Sequence, residues 1–125
     1  ETFSIVFPNN KPILNPLIRE HLYHSCDVGR QPKILKKEFK NYDFSKLSDY
    51  WWNNNIPINE KLIVQESHDD IRDRLRNFII SIKNLDANNI VIVSHGTYLS
   101  QITEYMLDNC ELFICDYEDI YRKIV

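Results

Sequence analysis

Ile90-Val-Ile-Val-Ser-His95-Gly96-Thr97-Tyr-Leu-Ser100 is the stretch on which the reading of this chain turns. Four β-branched residues run directly into His95-Gly96, the composition of a strand buried on both faces. Leu99, Ile102 and Met106 follow at helical spacing, with Thr97 placed to cap the start. His95 therefore falls where a buried strand is expected to end and a helix to begin. In open α/β sheets that edge is where ligands bind. Backbone N–H groups and the positive end of a helix beside an imidazole suit an anion such as phosphate.

The flanking pattern extends this layout. Ser67 with Asp70 forms a capping-box pair. After it, Ile71, Leu75, Phe78, Ile79 and Ile82 hold one helix face, and Arg72, Asp73, Arg74, Arg76 and Asn77 are assigned to the solvated one. Asp86-Ala-Asn-Asn89 is expected to stop that helix. Phe3–Phe7 and Glu111–Tyr117 read as further strands, and Ile13-Leu14 as a short apolar element. Helix, strand, helix, strand with short links predicts an α/β fold with a partly parallel sheet. Between Glu20 and Ser67 lies an irregular stretch with Gly29, Pro32, Pro57 and the Asn53-Asn-Asn55 triplet. Its aromatics, Phe39, Tyr42, Phe44, Tyr50, Trp51 and Trp52, point to a folded lid or flank rather than disorder. Short helices are expected near Ile34–Phe39 and from Ser45, as cap, to Trp52.

At 125 residues the chain has the length of one domain. A net charge of -3 provides no basic field for nucleic acid and no polybasic membrane anchor. No apolar run approaches a membrane span and no signal peptide is visible. Cys26, Cys110 and Cys115 lack Cys-x-x-Cys spacing. Three thiols in a domain of this size read as free, small apolar residues in a reducing, cytoplasmic compartment.

Among candidate functional residues His95 ranks first, as a contact to a phosphoryl oxygen, an acid or base, or, least of all, a metal ligand. The plain alternative is a core-edge histidine satisfied by a carbonyl. Gly96, one of only two glycines, suggests close approach of backbone to a ligand or a sharp turn. On the residues alone Glu20 reads as a solvated acid. His21 and His24 lack partners at metal spacing, Trp51-Trp52 reads as packing, and Ser94 and Ser100 sit in no nucleophile elbow.

Ile90–Thr103 resembles the second-histidine motif of the histidine phosphatase superfamily, the phosphoglycerate mutase-like fold. Leu17-Ile-Arg-Glu20 looks like the place of that family's acid/base glutamate, and Glu66-Ser67 followed by Arg72 is similar to its Glu-Ser helix start. Cys26-Asp-Val-Gly29, Asp43-Phe-Ser45, Trp51-Trp52 and Asn109-Cys-Glu111 resemble a eukaryotic branch. The resemblance covers nearly the whole chain. It implies a three-layer fold with a mixed, mostly parallel sheet flanked by helices. It also implies phosphoryl transfer on a small phosphorylated substrate, through a phosphohistidine and without metal or other cofactor. His95 is then the oxyanion contact, Glu20 the acid and base, and the backbone of Gly96 and Thr97 the remainder of the phosphate cradle.

The family's nucleophile lies in an Arg-His-Gly motif on the first strand, and this sequence contains none. Glu1-Thr2 is similar to the tail of a second family motif, Ser-x-x-x-Arg-x-x-Glu-Thr. The chain is therefore expected to be the carboxy-terminal part of such a domain, missing its first strand and close to inactive alone. An amino-terminal segment or a second copy would cover the exposed sheet edge. Two other readings compete: a catalytically inactive binding module of the same fold, and an unrelated α/β domain with an incidental histidine.

Overall fold

The structure is a computed structural model that describes residues 1–53 and 61–125. The reading of Asn54, Asn55 and Pro57 lies outside the described residues. Helices alone supply the regular structure there: α1 (Thr2–Val6), α2 (Pro32–Glu38), α3 (His68–Ile82), α4 (Gly96–Thr103) and α5 (Tyr117–Ile124), with 3-10 turns at Pro16–Ile18 and Ser25–Asp27. Contacts divide the chain into two compact units, residues 1–16 with 22–65, and residues 17–21 with 66–125.

The expected mixed sheet is absent from the described residues, and each predicted strand fails for its own reason. Phe3–Phe7 closes its hydrogen bonds locally: Phe7 N–H donates to Phe3 O at 2.8 Å, and the Phe3 and Phe7 rings meet at 5.3 Å on one helical face. A strand would need a neighbour from elsewhere in the chain, whereas a helical turn is complete in itself. Residues 90–94 run without regular structure into α4. Val91 is 64% exposed, and the segment is held from one side by Ser94 Oγ, which donates to Ile18 O at 2.6 Å. In Glu111–Tyr117, Leu112 and Ile114 are 75% and 82% exposed, which excludes a buried strand.

In the unit that carries the candidate site, α3 forms with the expected capping pair and apolar face. Ser67 Oγ accepts from Asp70 N–H while the Asp70 carboxylate accepts from Ser67 N–H. Ile71, Leu75, Phe78 and Ile79 are buried with Tyr98 and Ile102 of α4. The helix stops at Ile82, ahead of the expected Asp86–Asn89 signal. His95, not Thr97, is the N-cap of α4. That helix ends at Thr103, where Glu104 turns left-handed at φ 66°, so Met106 lies outside it and exposed. Past the predicted strand, α5 lays Tyr117, Ile120, Tyr121 and Ile124 against the same core. Lys123 Nζ secures it, donating to Ile102 O at 2.9 Å and pairing with Glu104 at 2.8 Å.

The other unit is organised by its aromatics. Phe39 stacks on Tyr42, and Phe3 meets Tyr42 edge-on. Pro32 opens α2, as its fixed φ favours. Gly29 sits beneath two indoles: a Cβ there would lie 2.5 Å from Trp51 Cζ2 and 2.6 Å from Trp52 Cε3. The helix expected from Ser45 does not form. Asp43 Oδ1 takes the Ser45 N–H at 2.9 Å, a side-chain turn that competes with helix initiation, and turns follow to Trp52. All three cysteines are free and exposed, against the expectation of buried apolar packing.

Candidate functional site

Glu20 lies two residues after the 3-10 turn at Pro16–Ile18, and its carboxylate reaches the first turn of α4. Oε1 accepts from Tyr98 N–H at 3.0 Å and from His21 N–H at 2.8 Å, and Oε2 accepts from Thr97 N–H at 3.3 Å. The His95 side chain makes no capping bond. A carboxylate 75 residues upstream in sequence therefore satisfies two of the amide donors that every helix start leaves open, with the helix dipole favouring its charge. The structure thus brings Glu20 to the helix end at which His95 occupies the N-cap position. His95 is exposed, while Gly96 and Thr97 are half-buried. The Thr97 amide, expected to face phosphate, is directed here at Glu20.

Beneath this turn lies a buried ionic cluster. Arg74 of α3 is 1% exposed, and its guanidinium has five N–H donors. Nε donates to Glu66 Oε1 and Nη2 to Glu66 Oε2, both at 2.9 Å. Nη1 donates to the carbonyls of Leu17 at 2.7 Å and Arg19 at 2.9 Å, and Nη2 reaches that of Glu20 at 3.4 Å. Arg19 adds a second cation on Glu66 Oε1 at 2.6 Å. The His21 ring donates from Nε2 to Glu66 O at 2.8 Å and stands 5.8 Å from the His68 ring. The guanidinium of Arg74 also lies over the Tyr98 ring, 4.9 Å from its centroid.

Two cations thus share one carboxylate in the interior. Burial, and then the neighbouring Arg74, lowers Arg19 to about 10 against the opposing pull of Glu66. Burial likewise pushes the Tyr98 phenol up, opposed by both arginines. The Tyr98 hydroxyl is buried and has no hydrogen-bond partner among the described residues.

Sequence reasoning missed Arg74 and Arg19. The polar pattern assigns Arg74 to the solvated face, yet it stands three residues after Ile71 and four before Phe78, on the apolar side of the same period. That spacing was the available signal. Arg72, set beside Glu66-Ser67 by resemblance, is exposed and lines a depression of about 400 Å3 with Asp69, Asp73, Arg76 and Ile124. Among the described residues no group of three or more His, Cys, Asp or Glu side chains could hold a metal ion, and no helix is long and apolar enough to cross a membrane.

A family model described as the histidine phosphatase superfamily (branch 1) matches residues 12–117. No curated protein and no solved structure matches the chain.

Proposed function

The chain belongs to the histidine phosphatase superfamily, a family of phosphoryl-transfer enzymes, and from that premise we propose that it contributes the Glu20–His95 part of a phosphoryl-transfer site. One observation carries the reading. The Glu20 carboxylate is seated on the first amides of the helix whose N-cap is His95. An acid and an imidazole at one helix N-terminus suit a phosphomonoester: the imidazole steadies the phosphoryl oxygens while the carboxyl group serves the leaving oxygen.

In this reading a histidine supplied in an Arg-His-Gly segment attacks phosphorus and becomes phosphohistidine. Glu20 gives a proton to the leaving oxygen and then takes one from the water or hydroxyl that accepts the phosphoryl group. Oε1 already accepts two N–H bonds and Oε2 one longer bond, so Oε2 keeps the lone pair for proton transfer. His95 and the backbone at Gly96 hold the phosphoryl oxygens, the Thr97 amide being committed to Glu20 Oε2. The substrate is a small phosphorylated molecule, and cationic side chains do the work that a metal does elsewhere.

The test is hydrolysis of a simple aryl phosphate by this chain joined to, or mixed with, an Arg-His-Gly segment. Turnover should appear with the segment and stay near background without it. His95→Ala and Glu20→Gln should each remove most of it, by about a hundredfold or more. Turnover that ignores both substitutions would overturn the reading.

A further inference from the structure

We propose that Arg74 is a positioning residue for Glu20, a role that rests on the function proposed above. Its five donors meet five acceptors: both oxygens of Glu66 and the carbonyls of Leu17, Arg19 and Glu20. Three of those acceptors are the backbone of the turn leading to Glu20. The guanidinium therefore acts as a template for the backbone that leads out of the 3-10 turn at Pro16–Ile18 to Glu20. Glu66 holds the template flat through a two-bond fork, and its own backbone carbonyl is bound by His21, the residue after Glu20.

The chain of contacts closes on itself. Arg74 bonds Glu20 O, Glu20 Oε1 accepts from Tyr98 N–H, and the Tyr98 ring lies under Arg74. Both ends of the Glu20–α4 contact are thus referenced to one rigid planar group. Shifting that plane moves the carboxylate relative to His95. Misplacement of a reacting group by an ångström is enough to cost a large part of a rate. A lysine at 74 keeps the charge but has three donors on a rotating ammonium, so it cannot reproduce the template.

The test uses the 125-residue chain, isotope-labelled. In the unsubstituted protein the Arg74 guanidinium protons should be individually resolved, with couplings to the carbonyl carbons of Leu17 and Arg19. One averaged guanidinium signal overturns the proposal without any variant. In Arg74→Lys the Thr97 and Tyr98 amides should exchange about tenfold faster, while Phe78 and Ile79 stay within about twofold. Unchanged exchange at 97 and 98, or equal acceleration everywhere, overturns it. In the aryl phosphate assay, Arg74→Lys should lower kcat about tenfold with KM within about twofold, and an unchanged kcat overturns it. Failure of the unsubstituted protein to turn over with the Arg-His-Gly segment present would sink the proposed function instead, with the exchange result still deciding the role of Arg74.

Discussion

Glu66 and Arg74 lie eight residues apart, and both oxygens of the one are held by two nitrogens of the other at 2.9 Å, with each side chain almost wholly removed from solvent. Arg19 shares the same carboxylate. Burying an unpaired charge is far more costly than burying a paired one. Glu66→Gln leaves two buried cations facing a neutral amide and should cost about 3–5 kcal/mol of stability. Urea denaturation of the variant beside the parent chain measures it, and a loss under about 1 kcal/mol would mean that solvent reaches the cluster.

Tyr98 combines a buried ring under a cation with a hydroxyl that finds no partner among the described residues. Tyr98→Phe keeps the ring and removes the stranded group, so stability should rise by about 1 kcal/mol. A loss in the same denaturation experiment would instead indicate a buried water on that hydroxyl.

The same residue sets an alkaline limit. Its folded-state value is raised above 10.0 by burial, so between the ordinary value and the raised one the unfolded chain has released a proton that the folded chain retains. The contribution of Tyr98 to stability is therefore intact below about pH 10 and is lost as pH rises above it. Native absorbance titration should leave one of the seven tyrosines silent until the chain unfolds, and Tyr98→Phe should remove that silent fraction.

The two glycines should respond oppositely to alanine. Gly96 does not have a positive φ, and a Cβ there would meet only Met106 Sδ at 2.9 Å, the flexible end of an exposed side chain. Gly96→Ala should therefore fold with stability unchanged or higher by about 0.5–1 kcal/mol. If backbone must approach phosphate at this position, the same variant loses aryl phosphate turnover. Gly29→Ala drives a methyl into two indoles and should cost about 1–3 kcal/mol, read from tryptophan fluorescence during denaturation.

Acid should loosen α5 before the core. The hydrogen bond from Lys123, reinforced by its charge, holds Glu104 below its ordinary 4.5. That link is fully present above about pH 4.5 and is lost as pH falls through the depressed folded value. Amide exchange in residues 117–124 should rise first on acidification, and Glu104→Gln should show the faster exchange already at neutral pH.

Much of α3 was legible in the sequence. Its capping pair spans one turn and its apolar face repeats within the helix, so both signals are local. His95 at a helix start was legible for the same reason, although the N-cap position falls on His95 and not Thr97. Phe3–Phe7, residues 90–94 and Glu111–Tyr117 were misread because β-branched and aromatic composition states a preference for extended backbone, while a strand exists only when another segment accepts its hydrogen bonds. The helix at 117–124 was overlooked, though Tyr117, Ile120, Tyr121 and Ile124 share one helical face.

The order of residues alone determined the capped α3, the helix start at His95 and the motifs by which the family is known. Tertiary structure decided that Glu20 caps α4, that Arg74 turns inward, and that the apolar segments go unladdered among the described residues. The division follows from range. A cap or a helical period is complete within a few residues, but a carboxylate 77 residues from its amide donor is assigned only when the folded chain closes the distance.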